Sequence, residues 1–190
     1  MTDPIGLLQQ WIGEAGGTNK VETIAMCLST VEGKKPSSRM VLMRGLDDLG
    51  LRFYTSYGSR KARELSESPY ATALFYWPWM ERQVRIEGAV SQLSESESDE
   101  YFASRPRGHQ LAAWTSEQSE PIEAYALLEE RYAHFEARFE GEDVPRPHSW
   151  GGYLLTPTYF EFWRRRPNRM HERTAYALVN HHWTITLLQP

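Results

Sequence analysis

The pattern of apolar and polar positions divides the chain into a leading helix and a series of short β-type runs. Asp3-Pro4 is typical of a helix start, and Ile5, Leu8 and Trp11 then recur at helical spacing until Gly16-Gly17 ends the pattern. Runs with strand character follow at residues 23–30, 38–44, 51–55, 70–77, 81–93, 153–163, 169–178 and 183–188. The turn at 32–36 predicts that the first two runs form a hairpin.

Further helices interrupt the strands. A helix is predicted over 59–67 with a serine N-cap, and Ser94 with Glu97 forms a capping box that begins another. An apolar stripe at helical spacing over 121–139 predicts a helix packed in the core, whereas 104–110 is typical of a rigid basic loop. A meander of six to eight strands with helices between them predicts the α+β class: an antiparallel β-barrel with flanking helices, in one domain over 1–190.

The composition excludes several classes of protein. The net charge of −4 argues against a nucleic-acid binder, and no apolar run approaches the roughly 20 residues of a membrane span. The start of the chain lacks the layout of a signal peptide, so we expect a cytoplasmic protein without a membrane partner. The single cysteine, Cys27, lies in an apolar run and is expected to be buried, and the histidines lack metal-ligand spacing, so no metal site is expected.

Basic residues are concentrated in four separate segments, at 39–44, 59–63, 104–110 and 169–173. Only four of the 21 basic residues are lysines, and arginine is suited to bidentate recognition of phosphate and carboxylate. A GC-rich genome would produce the same excess of arginine over lysine. The positions of the arginines must therefore decide between anion binding and genome composition as its cause. Arginines that converge from four elements of a net acidic domain predict a ligand with several negative groups.

Two of these segments have a specific geometry. Ser59-Arg60-Lys61 opens a predicted helix, where backbone N–H groups favour a phosphate and basic side chains are otherwise unfavourable. If 169–173 is a strand, Arg169, His171 and Arg173 share one face and repel each other unless an anion lies between them. A solvated turn and a wet edge strand would explain the same segments, and spacing alone leaves both interpretations open. The sequence has no dinucleotide, P-loop, zincin or serine-hydrolase motif.

A set of ordered stretches resembles the pyridoxamine 5′-phosphate oxidase family from about Ile5 to Pro190. The stretches are Arg39-Met40-Val41-Leu42, Phe53-Tyr54-Thr55, Gly58-Ser59-Arg60-Lys61-Ala62, Glu81-Arg82-Gln83-Val84, Tyr101-Phe102, Ser104-Arg105-Pro106-Arg107, Ala113-Trp114, Gln118-Ser119, Trp150-Gly151-Gly152, Glu161-Phe162-Trp163, Asn168-Arg169-Met170-His171-Glu172-Arg173 and Leu188-Gln189-Pro190. Each stretch is common by itself, and their number and order carry the resemblance.

The resemblance implies an FMN-binding split β-barrel that forms a homodimer with FMN in clefts between the subunits. It also implies oxidation of pyridoxamine 5′-phosphate or pyridoxine 5′-phosphate to pyridoxal 5′-phosphate, with O2 reduced to H2O2. The positions that match the family's FMN contacts are Arg39, Met40, Val41, Leu42, Tyr54, Thr55, Arg60, Lys61, Gln83, Gln118, Ser119, Trp163 and Arg173. Tyr101 and Arg105 match contacts to the substrate phosphate. Arg169 and His171 match the catalytic pair over the substrate ring.

Two positions depart from the family pattern. Arg44 stands where the family usually has a lysine, and His109 stands where it usually has a serine; both places contact the substrate phosphate in the family. We expect a remodelled phosphate pocket, because arginine differs from lysine in shape and histidine changes its charge at a pH of about 6.5. Family members often carry a longer arm before the first helix, so a reduced lid over the site is also expected.

Two alternative functions stay open at this point. One is a related flavin oxidase, similar to the phenazine-biosynthesis branch, that acts on a carboxylated aromatic ring. Arg44 and His109 would suit a carboxylate, whereas Tyr101 and Arg105 favour a phosphate. The other is a carrier of flavin or pyridoxal phosphate without turnover, which the presence of both Arg169 and His171 disfavours.

Overall fold

The computed structural model describes residues 3–190, in which six α-helices and nine strands alternate. The helices are α1 (Pro4–Ala15), α2 (Val21–Ile24), α3 (Arg60–Glu67), α4 (Glu95–Ala103), α5 (Arg107–Thr115) and α6 (Ala126–Arg138). The strands are β1 (Ala25–Glu32), β2 (Lys35–Leu42), β3 (Gly45–Asp47), β4 (Gly50–Ser56), β5 (Tyr70–Trp77), β6 (Arg82–Gln92), β7 (Trp150–Arg164), β8 (Glu172–Val179) and β9 (His182–Leu188). In this part of the chain, no helix has the length and apolar character to cross a membrane.

The strands form one antiparallel sheet that divides at its longest member. The order is β2-β1-β5-β6-β7-β4-β3, while β8 pairs with β7 and β9 pairs with β8. The first part of β7, up to Leu155, pairs with β4, and its last part, from Tyr159, pairs with β8. β6 pairs with β7 along its length, while the partner on the other side of β7 changes from β4 to β8. Within residues 3–190 the strand order therefore does not close into a ring. The predicted α+β antiparallel class and the β1–β2 hairpin are confirmed, with nine strands in place of six to eight.

The leading helix forms as its sequence predicts. The side chain of Asp3 accepts hydrogen bonds from the backbone N–H groups of Ile5 (3.2 Å) and Gly6 (3.0 Å), which have no partner within the helix. The apolar stripe of α1 is buried, and the ring of Trp11 meets that of Phe162 edge-on, with centroids 5.1 Å apart. Helix α1 therefore closes one side of the main core against β7.

A second, smaller core lies beside α4, α5 and α6, and two predictions fail there. Residues 107–115 form helix α5 where 104–110 was expected to be a loop, because the proline that suggested a rigid loop stands at the N-cap of the helix. In the stripe at 121–139, the helix begins only at Ala126, and Tyr125 is 83% exposed. Helix α6 therefore covers this small core from outside, and only Phe139 of its stripe is buried.

The single cysteine lies on the outer face of β1. Met26 and Leu28 are buried, and successive side chains of a strand point to opposite faces. Cys27 stands between these two residues and is half-buried. The prediction of a buried Cys27 is therefore wrong, because the alternation of the strand outweighs the apolar character of the run.

Gly88 allows β6 and β7 to approach each other where their register shifts. A Cβ atom at this position would lie 2.0 Å from the backbone oxygen of Thr156. We expect Gly88→Ala to lower the free energy of unfolding by about 2–4 kcal/mol, because the clash is with backbone and cannot be relieved by a rotamer change. Gly13→Ala is the matched control, because a Cβ at this position in the last turn of α1 meets nothing within 4 Å. It should raise stability by about 0.5–1 kcal/mol. Equal denaturation midpoints for the two variants would contradict this account.

Candidate active site

A groove of about 1000 Å³ is formed by β2, β4, the start of α3 and the connection between α4 and α5. The predicted residues that line it are Arg39, Met40, Val41, Leu42, Arg44, Tyr54, Thr55, Arg60, Lys61, Tyr101, Arg105, His109, Gln118 and Ser119. The spacing of Arg39 and Arg44 predicts opposite faces of one strand. Both nevertheless line the groove, because β2 ends at Leu42 and Arg44 lies in the following connection.

Lys61 is buried at the start of α3 among neutral oxygen atoms. Its Nζ donates hydrogen bonds to Thr55 Oγ1 (2.9 Å), Gln118 Oε1 (3.0 Å) and Ser59 Oγ (3.3 Å). Burial lowers the pKa of Lys61 to about 8, and the charge of Arg39 acts in the same direction. All three hydrogen-bond acceptors of the ammonium group are uncharged, and the nearby charge of Glu64 offsets only part of the effect of burial, so a bound anion would further stabilise the charged form.

The loop after α5 reaches the first turn of α3. Ser59 occupies the predicted N-cap position, but its side chain forms no capping hydrogen bond. Ser119 supplies it instead, because its Oγ accepts from the backbone N–H of Arg60 at 3.2 Å. Gln118 Oε1 also accepts a hydrogen bond from Thr55 Oγ1 at 2.7 Å. Predicted ligand residues from three elements thus meet where α3 begins.

Arg105 forms a second cationic point of the groove, against an aromatic wall. The rings of Tyr54 and Tyr101 stack with centroids 3.8 Å apart, and the Tyr101 ring lies within 6° of parallel to that of Trp150. The guanidinium carbon of Arg105 lies 4.5 Å from the Trp150 ring centroid. Burial lowers the pKa of Arg105, and its Nη1 is buried without a hydrogen-bond partner within residues 3–190. A buried donor without a partner is energetically costly.

Three features of the groove were missed in the sequence. Trp150 was matched only as part of a motif, and its stacking on Arg105 depends on the fold. Ser37 was not singled out, and it lines the groove beside Arg39. Glu64 bonds both Arg39 and Arg60, and its position four residues after Arg60 on a predicted helix was the available signal.

The two departures from the family pattern lie in the same groove. His109 is exposed, and Arg44 follows the end of β2. Arg44 and Arg105 both line the groove, and the charge of Arg44 adds to burial in lowering the pKa of Arg105. Together they make this region of the groove strongly cationic.

The remaining predicted residues form a patch on β6, β7 and β8 that does not line the groove. Gln83 stands opposite Trp163, and Trp163 stands opposite Arg173, in register across the three strands. The ring of His171 packs on that of Trp163 with centroids 4.7 Å apart. Arg173 donates from Nε to the buried carboxylate of Glu161 at 2.8 Å.

The predicted strand alternation of Arg169, His171 and Arg173 is wrong. β8 begins only at Glu172. Arg169 ends a short 3-10 turn in which its φ is 61°, and His171 Nδ1 accepts a hydrogen bond from the backbone N–H of Arg166 at 3.3 Å. The turn, not a strand face, brings His171 onto Trp163, and Arg169 lies two residues before His171 in this turn.

The groove and the patch lie near opposite ends of β7. Gly152 pairs with Tyr54 of the groove, whereas Trp163 pairs with Arg173 of the patch. These two β7 residues are separated by on the order of 35 Å of extended strand. One protomer therefore carries the predicted site residues in two separate groups, the groove and the patch.

Sequence models of two family regions match the chain. The first, described as pyridoxamine 5′-phosphate oxidase, matches residues 20–139. The second, described as the pyridoxine 5′-phosphate oxidase C-terminal dimerisation region, matches residues 150–190. The chain belongs to the pyridoxamine 5′-phosphate oxidase family.

Curated members of the pyridoxamine 5′-phosphate oxidase family are similar along the whole chain. The pyridoxine/pyridoxamine 5′-phosphate oxidase of Rubrobacter xylanophilus is 50% identical over 189 residues, which cover 99% of this chain and 87% of that protein. The protein of the same name from Burkholderia multivorans is 48% identical over 192 residues, with 99% and 89% covered. The resemblance inferred from the motifs is therefore confirmed.

Solved structures of the family share the fold. PhzG from Burkholderia lata 383, in complex with tetrahydrophenazine-1-carboxylic acid, superimposes with a TM-score of 0.94 at 34% identity, covering 100% of this chain and 94% of that chain. A pyridoxamine 5′-phosphate oxidase-related, FMN-binding protein from Nostoc punctiforme superimposes with a TM-score of 0.80 at 17% identity, covering 100% and 98%. The predicted split-barrel fold is confirmed.

The family's dimerisation region contains every residue of the patch except Gln83. Residues 150–190 include β7, β8 and β9, and with them Trp163, Arg169, His171 and Arg173. The match to this region supports the predicted homodimer. Leu187, on the edge strand β9, is 80% exposed in the protomer, as expected for an apolar side chain that a partner covers.

Proposed function

We propose that the protein is an FMN-dependent oxidase that converts pyridoxamine 5′-phosphate or pyridoxine 5′-phosphate to pyridoxal 5′-phosphate, with O2 as the electron acceptor and H2O2 as the second product. One observation carries the proposal: a single groove contains two cationic points on different elements, Lys61 with Arg60 on α3 and Arg105 after α4. Two phosphorylated ligands, the flavin and the substrate, would account for both.

The residues at the start of α3 fit the phosphate of FMN. Lys61 is buried and its hydrogen-bond partners are uncharged, so a phosphate would give it a direct ionic partner. Arg60 uses its Nε on Glu64, and its side chain is 53% exposed. Its terminal nitrogens are thus available to bind a phosphate through two parallel hydrogen bonds. The same residues would leave riboflavin, which has no phosphate, without its strongest contacts.

Arg105 fits the phosphate of the substrate. Stacking on Trp150 fixes the plane of the guanidinium where Arg105 lines the groove, so its planar fork can bind a phosphate through parallel hydrogen bonds. Tyr101, which stacks on Tyr54 in the same wall, adds a phenol that can donate to a phosphate oxygen. Arg44 contributes charge from the neighbouring connection.

The patch would supply the catalytic side chains. FMN, when bound, accepts the hydride and passes its electrons to O2. Because His171 Nδ1 accepts a backbone hydrogen bond, a neutral His171 carries its proton on Nε2 and can donate it towards a substrate. Arg169 adds a positive charge beside it; both would orient the substrate ring, and the charge of Arg169 would favour loss of a proton from the bound substrate.

The position of the patch leads us to infer that each complete site uses two protomers. The groove of one chain and the patch of its partner would meet across the dimer interface. Gln83, Trp163 and Arg173 would then contact the flavin from the partner's side. The separation of the two half-sites along β7 and the match to a dimerisation region support this arrangement.

A second candidate function is an oxidase that acts on a carboxylated aromatic ring. The TM-score of 0.94 with PhzG, bound to tetrahydrophenazine-1-carboxylic acid, favours it. The two arginines Arg44 and Arg105 would bind a carboxylate as well as a phosphate. The name shared by the curated relatives, at up to 50% identity, favours the phosphorylated substrate.

Reduction of the flavin in the absence of oxygen tests the proposal. FMN-loaded protein should lose its yellow absorbance when pyridoxamine 5′-phosphate is added anaerobically, because the electrons remain on the cofactor. Bleaching by tetrahydrophenazine-1-carboxylic acid alone would support the second candidate. Bound FMN that neither compound reduces would indicate a carrier protein and contradict both oxidase functions.

The pH dependence of FMN affinity should reveal Lys61. A phosphate stabilises the protonated amine, so affinity should be flat from pH 7 to about 8 and then fall by about tenfold per pH unit. Fluorescence titration of the apoprotein measures it, with riboflavin as the control ligand. Lys61→Met should bind FMN weakly and lose this dependence. Parallel curves for FMN and riboflavin would contradict the assignment.

A further inference from the structure

Glu64 joins the two arginines of the flavin half-site through one buried carboxylate. Its side chain is 2% exposed. Oε1 accepts from Arg60 Nε at 2.8 Å, Oε2 accepts from Arg39 Nη2 at 2.9 Å, and Ser37 Oγ lies 2.7 Å from both oxygens. Thr30 Oγ1 also donates to Oε2. All the partners come from α3, β1 and β2, so the carboxylate ties the start of α3 to the hairpin that lines the groove.

The carboxylate is ionised at physiological pH. Burial alone would raise the pKa of Glu64, but the hydrogen bonds from Thr30, Ser37, Arg39 and Arg60 outweigh burial and lower the pKa to about 2. A negative charge is therefore fixed beside a site that is proposed to bind an anion. This arrangement needs an explanation, because the charge by itself repels a phosphate.

The two arginines use their N–H groups differently. The terminal nitrogens of Arg39 are directed at protein acceptors: Nη1 at Leu28 O and Thr30 Oγ1, and Nη2 at Ser37 Oγ and Glu64 Oε2. Arg60 bonds Glu64 only through Nε, which fixes the plane of its guanidinium and leaves its terminal fork for a ligand. Arg39 therefore acts as a fixed charge, and Arg60 as the direct ligand.

The net charge of Glu64 and the basic residues around it balances the charge of a phosphate dianion. Arg39, Arg60 and Lys61 carry three positive charges, and the carboxylate reduces the sum to two. A phosphate monoester carries close to two negative charges above its second pKa of about 6. Without the carboxylate, three like charges would repel one another in a partly buried site and spread the side chains apart.

We propose that Glu64 is a positioning residue of the flavin-phosphate site, which orients Arg60, anchors Arg39 and balances the charge of the site against a phosphate dianion. The inference rests on the proposed function, because it takes the groove to be the FMN site. A purely structural role is the competing explanation, since the same bonds also join α3 to β1 and β2. The two explanations differ in whether the phosphate of the ligand matters.

Binding of FMN and of riboflavin to the apoprotein dimer distinguishes them. We expect Glu64→Ala to weaken FMN binding by about 30-fold, because Arg60 loses the charge-assisted hydrogen bond that orients it. Riboflavin binding should change by less than about threefold. Glu64→Gln keeps an oxygen for Arg60 but loses the charge, so its FMN affinity should lie between those of the wild type and Glu64→Ala. Glu67→Ala, an exposed change on the same helix, is the control and should bind both ligands normally.

A double-mutant cycle tests the route through Arg60. Arg60→Ala alone should weaken FMN binding, and the further loss on adding Glu64→Ala should be much smaller than in the wild-type background. Unchanged or tighter FMN binding in both Glu64 variants would overturn the proposal, as would equal losses of FMN and riboflavin or fully additive effects. If the wild type itself binds riboflavin as tightly as FMN, the FMN assignment of the groove fails instead.

Discussion

Replacing Arg105 with alanine is expected to raise the KM for pyridoxamine 5′-phosphate by on the order of 100-fold, because the change removes a desolvated guanidinium that would pair with the substrate phosphate. The effect on FMN affinity should be small, since Arg105 lies after α4 and the flavin phosphate is assigned to α3. Steady-state oxidation at saturating FMN measures the KM, and fluorescence titration measures the flavin affinity.

Two further variants sharpen this experiment. Arg105→Lys keeps the charge but loses the planar fork and much of the stacking on Trp150, so its KM should lie between those of the wild type and Arg105→Ala. Arg131→Ala removes an exposed arginine of α6 that lies 3.8 Å from Glu117 and does not line the groove, and it should leave KM unchanged. A wild-type KM for Arg105→Ala would show that the substrate phosphate binds elsewhere.

Replacing Arg169 with alanine should lower kcat by on the order of 100-fold, while the Kd for FMN changes by less than threefold. Arg169 lies in the turn beside His171, at the far end of β7 from the start of α3. Position 169 has a left-handed backbone conformation. Arginine and alanine both carry a Cβ, so the substitution leaves the backbone strain at this position about the same. Stopped-flow reduction and FMN titration measure the two quantities.

The neighbouring Arg165 provides the control for Arg169. Its side chain is 62% exposed and pairs with Glu81 at 2.5 Å, so Arg165→Ala should retain kcat. Equal losses of turnover and FMN binding in Arg169→Ala would contradict a role restricted to the substrate. So would a similar loss of turnover in Arg165→Ala, which would indicate a general effect of charge on this loop.

Hybrid dimers test whether one site uses two protomers. A hybrid of an Arg105→Ala chain and an Arg169→Ala chain would contain one site with both changes and one site with neither. At a substrate concentration near the wild-type KM, a purified hybrid should therefore recover about half of the wild-type activity, although each homodimer is nearly inactive under these conditions. Hybrid activity no higher than that of the homodimers would place the groove and the patch of one site on the same chain.

Local signals in the sequence were sufficient for most of the fold. Asp3-Pro4 and the stripe behind it predict α1, and the turn at 32–36 predicts the β1–β2 hairpin, because capping and turn chemistry act within a few residues. Local signals of this kind fail in two segments around the small core. Residues 107–115 form a helix behind a proline. In 121–139 only Phe139 is buried in the small core, while Tyr132 and Phe135 are partly buried against it.

The site was predicted less completely, because its geometry depends on long-range contacts. The family motifs identified the residues of the groove, and the structure brings these together. The alternation of Arg169, His171 and Arg173 was a wrong reason for grouping them, since Pro167 and Asn168 turn the chain before β8 begins. The joint contact of Glu64 with Arg39 and Arg60 depends on how α3 docks on the hairpin, which periodicity does not reveal.

The central claim is oxidation of a phosphorylated B6 vitamer, and the most direct test is H2O2 release by purified, FMN-loaded protein given pyridoxamine 5′-phosphate, with unphosphorylated pyridoxamine as the control. The account predicts H2O2 with the phosphate ester and very little with the control, because Arg105 and Arg44 would serve the phosphate. Release from both compounds alike would contradict the assignment of the phosphate pocket. FMN-loaded protein that yields no H2O2 with the phosphate ester would contradict the proposed function itself.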